Sequence, residues 1–272
     1  MIALYISLGV VALLVGVILF LVFPSFRKHK DREVLKGKFI AHRGLHGIFE
    51  NTPENSLPAF SRAVELGLPI EIDIHLTADG EVVVFHDDTL NRVCGVEGRV
   101  EEKTLRELKQ LRLLNTDCEI PTLQECLDTV RGKVPLLIEF KCTSLKCNEL
   151  CTAANKILSE YDGKYLIQSF YPTVLRWYKK NRKDICRGQL ASAFKGEAVH
   201  KRLLGNMMFN FLGRPDFISY EHKYGKRFFF KSAVKLGAMP VGWTFRSKED
   251  LEKDKQDFEA YIFENFLPQM YK

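Results

Sequence analysis

Four short stretches hold the residues of this chain that could do chemistry together: His42-Arg43-Gly44, Glu71-Ile72-Asp73, His86-Asp87 and Glu139-Phe140-Lys141. Each closes an apolar run that reads as a β-strand, and residues two apart in a strand share a face. Glu71 and Asp73 are therefore expected to point the same way, as are Glu139 and Lys141. Three acids aimed into one dry cavity repel each other unless a cation compensates. Ligation by carboxylates alone favours a hard ion, Mg2+ or Ca2+, over zinc, and the choice between those two stays open. Imidazoles ordinarily titrate near neutrality, so His42 and His86 suit a shuttle in which one accepts a proton as the other donates. Arg43 offers a bidentate grip on a phosphate and Lys141 a point charge beside it. Metal, arginine and lysine together describe stabilisation of charge developing on a phosphoryl group. The competing account makes the acids buried ion-pair partners of Arg43 and Lys141 and the histidines structural. The arrival of all these groups at one end of the fold favours chemistry.

The elements that must position them alternate in type. Expected strands are Lys38–His42, Pro69–His75, Val82–His86, Val134–Lys141, Tyr165–Ser169, Gly188–Ala191, Phe217–Tyr220 and Pro240–Thr244. Helical patterns fall between them at Ser56–Leu66, Thr122–Arg131, Ser144–Tyr161, Pro172–Asn181, Gly196–Leu204, Lys226–Leu236 and Lys248–Lys253. Asn55-Ser56 and Thr122 read as helix caps, Gly67 and Gly237 as helix stops. Strand–helix alternation argues for a parallel sheet covered by helices, and eight strands over this length fit an α/β TIM (β/α)8 barrel. Residues 88–120 are too long for a simple connection and read as a small insertion after strand 3 that partly covers the barrel top.

Among 272 residues, 27% are charged and 46% hydrophobic, an ordinary globular mixture large enough to bury its own core. The formal net charge is +6, but residues 24–38 hold six cations against two acids, so most of the excess lies there. No basic stripe marks the rest, which argues against a nucleic-acid partner. Seven cysteines without framework spacing read as free thiols. Residues 2–23 form an uncharged apolar run long enough to cross a bilayer as a helix. With no basic start and a poor cleavage site, it reads as a retained anchor rather than a signal peptide. The expected division is a transmembrane helix at 1–23, a basic juxtamembrane linker at 24–37 and a catalytic barrel at 38–272. The cations directly after the apolar run place the barrel in the cytoplasm by the positive-inside rule, on a single-pass membrane protein.

The ordered motifs resemble the glycerophosphodiester phosphodiesterase family. Beside the four stretches above, they include Pro53-Glu54-Asn55-Ser56, Thr77-Ala78-Asp79-Gly80, Val84-Phe85-His86-Asp87, Arg92…Gly95, Ile120-Pro121-Thr122-Leu123, Gln168-Ser169-Phe170 and Trp243-Thr244. The resemblance runs over about 39–267 and implies a TIM barrel with a small insertion. It implies a divalent ion held by Glu71, Asp73 and Glu139, and an acid/base pair of His42 and His86. It also implies phosphate contacts at Arg43 and Lys141, with Glu54 and Asn55 at the rim of the metal and phosphate site. For Asn55 a helix-capping role competes. Trp243 reads as a wall for the glycerol or headgroup moiety, with a plain core position as the competing role. Two departures stand out: Ser56 where the family usually has Thr, and Phe245-Arg246 where a small aliphatic and Asn are usual. The implied reaction releases glycerol 3-phosphate and an alcohol from soluble glycerophosphodiesters. A lysophospholipase D acting on membrane lysophospholipids is the alternative, encouraged by the anchor and by Phe228-Phe229-Phe230 among Lys226, Arg227 and Lys231, although that stretch reads first as a helix face packed on the barrel. A catalytically silent, membrane-tethered binding module is the third. The oligomeric state is not legible.

Overall fold

The computed structural model describes residues 1–142 and 147–268; the expected helix start at Ser144 lies outside them. Nine strands are present among the described residues: β1 Phe39–Ala41, β2 Ile70–Leu76, β3 Val82–Val84, β4 Leu136–Phe140, β5 Tyr165–Ser169, β6 Arg187–Ala191, β7 Phe217–Glu221, β8 Met239–Phe245 and β9 Ala260–Phe263. Eight of them run parallel in the order β1-β9-β8-β7-β6-β5-β4-β2, and the pair Ala41–Ile70 joins β1 back to β2. The sheet is a closed TIM barrel, as expected.

Its membership differs from the sequence reading in one stave. Val82–Val84 is antiparallel to β2, pairing Val84 with Ile74 and Val82 with Leu76. The reason lies in the connection: the short turn through Gly80 allows a hairpin, whereas a parallel return needs a dozen or more residues. The eighth stave is β9, between β1 and β8, which the sequence reading did not include. His86 thus reaches the barrel mouth from a hairpin laid across it, with the Phe85 amide bonded to the Asp73 carbonyl at 2.9 Å.

Local chemistry sets the helix ends. Ser56 caps Leu57–Glu65 by accepting from the Ala59 amide, and Thr122 and Glu125 form a reciprocal capping box on Leu123–Val130. The buried apolar side chains form three clusters. One fills the barrel interior with Ile40, Leu137, Leu166, Phe217, Val241 and Ile262. A larger one lies between staves and helices. A third, with Phe85, Leu90, Val93, Val100 and Leu113, belongs to the insertion.

Residues Ile2–Val22 form one uncharged helix on which only Val22 is buried, so it is not a core helix of the barrel. By length and composition it could cross a membrane. Its last turn is fastened to the barrel. Asn210 Nδ2 donates to the Val22 carbonyl at 2.8 Å, and Arg214 Nη1 to those of Phe20 and Phe23 at 2.9 and 2.7 Å. Carbonyls at a helix C-terminus have no intrahelical partner, so these side chains act as its cap. The chain then makes a 3-10 turn, Lys30–Leu35, and the fully buried Leu35 packs with Cys186, Phe217, Met239 and Ala260 at the barrel end opposite the histidines. Leu35→Ala should therefore cost about 2–5 kcal/mol. Denaturant unfolding measures this; a loss under about 0.5 kcal/mol would mean that the segment merely lies on the surface.

Candidate active site

Asp73 on β2 and Glu139 on β4 are direct register partners, and Glu71 stands one pleat below Asp73 on the same face. All three are buried, and one carboxylate oxygen from each lies within 4.8 Å of the others. Lys141 Nζ sits 2.7 Å from Glu139 Oε1 and 3.1 Å from Asp73 Oδ1. Asn55 Nδ2 donates to Asp73 Oδ2 at 2.9 Å, and the Arg43 amide to Glu71 Oε2 at 3.1 Å. The turn after β1 makes that amide contact possible, because Arg43 and Gly44 both adopt positive φ, 53° and 79°. A Cβ at Gly44 would come within 2.9 Å of Ala59 and Phe60, so only glycine lets the turn lie against the helix behind it.

Burial pushes the Glu71 carboxyl well above its usual range, reinforced by Asp73 and Glu139, and pushes Glu139 up to about 7. Burial also works against the Asp73 carboxylate, but Lys141, His86 and Arg43 outweigh it and hold that acid far below the normal range. Asp73 Oδ1 makes no hydrogen bond and meets the Lys141 ammonium only as an ion pair, while Glu139 Oε1 shares that same ammonium at 2.7 Å. Two acids that resist ionisation beside a buried Asp73 oxygen without a hydrogen bond form a donor set that fits a hard divalent cation.

Both histidines are oriented by a carboxylate that an arginine holds. His42 Nδ1 lies 2.5 Å from Glu264 Oε2, while Glu264 Oε1 accepts from Arg246 Nε at 2.6 Å. His86 Nδ1 lies 2.6 Å from Asp87 Oδ1, and Arg92 Nε donates to Asp87 Oδ2 at 2.6 Å. A carboxylate at Nδ1 fixes the tautomer and leaves Nε2 as the nitrogen free for proton transfer. Burial lowers His42 to about 4, with Glu264 opposing it, and burial also lowers His86. Both rings line one small cavity of about 100 Å3 with Arg43, Glu71, Glu139, Lys141 and Trp243.

The remaining expected residues take distinct places. Glu54 is a hub between two arginines, 2.8 Å from Arg43 Nη1 and 2.7 Å from Arg92 Nη2, and lies outside the acidic trio. The helix cap falls to Ser56, which leaves Asn55 free to hold Asp73. Trp243 walls the cavity with its indole nitrogen unbonded. In the second departure, Arg246 braces Glu264, and Phe245 is core, stacked on His222. Sequence reasoning missed Glu264 altogether and gave Asp87 and Arg92 no role. Recognising β9 would have exposed Glu264, since Ala41 and Phe263 are register partners and the residues following them, His42 and Glu264, leave the barrel side by side. His46 Nε2 lies 3.7 Å from Glu264 Oε2, so His42, His46 and Glu264 form a second, more exposed group with metal-like spacing.

Against known proteins, residues 42–262 match the model described as the glycerophosphoryl diester phosphodiesterase family. A glycerophosphodiester phosphodiesterase of Caldanaerobacter subterraneus subsp. tengcongensis is 33% identical over 80% of this chain and 90% of its own. Lysophospholipase D GDPD1 of Homo sapiens is 29% identical over 62% of this chain and 56% of its own. Among solved structures, an Oleispira antarctica phosphodiesterase bound to the product sn-glycerol-3-phosphate superposes with a TM-score of 0.69 at 26% identity, covering 84% of this chain and 93% of that one.

The raised carboxyls carry a test of the acidic trio. A group lifted to about 7 still holds its proton below neutrality, and an ion binds only the deprotonated form. Affinity for Mg2+ or Ca2+ should therefore rise between pH 6 and 8 with release of protons. Calorimetric titration in two buffers of different ionisation enthalpy measures both, and a pH-independent affinity would contradict the assignment.

Proposed function

The chain belongs to the glycerophosphoryl diester phosphodiesterase family, and from that premise we propose that it cleaves glycerophosphodiesters to glycerol 3-phosphate and an alcohol through a divalent ion and a pair of histidines. The observation that carries this reading is the cavity that both imidazoles share with Glu71 and Glu139, two hard-to-ionise acids that lie within 4.8 Å of the buried Asp73. Glu71, Asp73 and Glu139 would hold the ion, Mg2+ or Ca2+. When bound, it supplies Lewis-acid polarisation of a phosphoryl oxygen.

The protein's own groups do the rest. Lys141 and Arg43 add positive charge beside the phosphate, and Asn55 fixes the angle of Asp73. One histidine takes a proton from the attacking oxygen, of water or of the neighbouring glycerol hydroxyl. The other gives a proton to the alcohol oxygen as its bond to phosphorus breaks. Glu264 and Asp87 hold the two rings for this and stabilise the imidazolium each becomes in turn. Trp243 closes the pocket around the glycerol or headgroup.

Lysophospholipids are a second reading, favoured by the exposed apolar helix and its fastening to the barrel. On this account Ile2–Val22 spans a membrane and the basic residues after it keep the barrel on the cytoplasmic side.

Release of choline from glycerophosphocholine tests the central reading. EDTA should abolish it and added Mg2+ or Ca2+ restore it. His42→Ala and His86→Ala should each lower kcat by about 10²–10⁴ with unchanged melting temperature. Full activity in either variant would remove that histidine from the chemistry, and complete silence of the wild type with metal would favour a binding module.

A further inference from the structure

A groove of about 760 Å3 leaves the catalytic centre and ends against the segment that holds the N-terminal helix. Its inner end is His86, Glu139 and Lys141. Beyond them the walls are Phe170, Tyr171, Phe194, Leu204, Phe209 and Leu212. Such a volume lies within the usual range for small-molecule sites. Asp87 and Asp88 stand near that inner end and His200 and Lys201 on the wall, but most of the exposed lining is carbon, and apolar matter gains by leaving water there.

What should fill it is indicated by where it leads. Leu212 belongs to the short helix Asn210–Gly213, whose Asn210 bonds the Val22 carbonyl at 2.8 Å. The ring of Phe211 in the same helix lies 5.8 Å from that of Phe20. The residues beside the groove's far end are thus the ones fastened to the candidate membrane helix. The neighbouring helix Val199–Gly205 turns His200 and Lys201 to the groove while leaving Val199 61% and Leu203 40% exposed. Phe228 and Phe26 are also exposed, the latter 5.0 Å from the Arg214 guanidinium. Apolar side chains among cations suit the headgroup boundary of a bilayer.

We propose that this groove holds the acyl chain of a lysophospholipid, drawn from the bilayer beside the N-terminal helix, with the phosphate at Lys141 and the acidic trio. The proposal rests on the phosphodiester hydrolysis described above and names its substrate class. Water adds to phosphorus, the phosphorus–oxygen bond to the headgroup breaks, and the headgroup oxygen leaves with a proton. The acylated glycerol phosphate remains in the groove.

The test uses the full chain in lipid nanodiscs, supplied with metal and with lysophosphatidylcholines of six to twelve carbons below their micelle concentrations. Glycerophosphocholine is the chainless reference. For the wild type, kcat/KM should rise about two- to fourfold per added methylene. Leu204→Gln, which sets an amide in the groove wall, should flatten that slope, with Phe209→Ala as the alternative variant if Leu204→Gln does not fold. A flat series with intact glycerophosphocholine cleavage overturns the groove and leaves the hydrolytic reading standing. An equal slope in a folded groove variant assigns the chain effect to partition into the disc and also overturns it. Failure to cleave any substrate, glycerophosphocholine included, removes the reading on which the proposal rests.

Discussion

Three carboxylates buried within 4.8 Å of one another set the terms for everything around them. Two of them face each other across adjacent staves, where side chains have no freedom to move apart. The fold answers with a graded set of positive groups. Lys141 bridges Glu139 and Asp73, the Arg43 amide meets Glu71, and the Arg43 side chain lies 3.6 Å from Asp73. Arg43 is shared with Glu54, and Glu54 in turn with Arg92. The compensation stops short of the trio itself, where two acids stay hard to ionise. A purely structural cluster would gain by closing that gap with another lysine or by losing an acid.

The histidines repeat one device from two directions. His42–Glu264–Arg246 is built at the ends of the neighbouring staves β1, β9 and β8, whereas His86–Asp87–Arg92 is built on the hairpin and the insertion. The insertion is therefore a part of the site and more than a lid. Arg92 bonds both Asp87 and Glu54, so one guanidinium ties the orientation of His86 to the charge balance around Arg43.

The inward face of β2 and β4 was legible because strand parity is a hard geometric rule, and Glu71, Asp73, Glu139 and Lys141 converge as parity requires. The barrel was legible from alternation, and helix bounds such as Pro172–Asn181 from local punctuation. The assignment of staves was less so. Val82–Val84 and Ala260–Phe263 are both brief apolar runs, and only the length of the preceding connection separates a hairpin from a stave. Glu264 was hidden for the same reason, since its meaning depends on a neighbour 222 positions away. The hydrogen bonds from Asn210 and Arg214 to the end of the N-terminal helix could not be read at all, because capping across such distances leaves no local pattern.

Among the described residues two clusters have the spacing to take a divalent ion, and which of them does so decides the chemistry. Anomalous diffraction from crystals grown with Mn2+ decides it directly. The expected result is a single strong peak among Glu71, Asp73 and Glu139, with Lys141 displaced from at least one carboxylate. A peak instead among His42, His46 and Glu264, or none at saturating Mn2+, would contradict the account, leaving the trio a buried ion-pair network and His42 a ligand rather than a proton carrier.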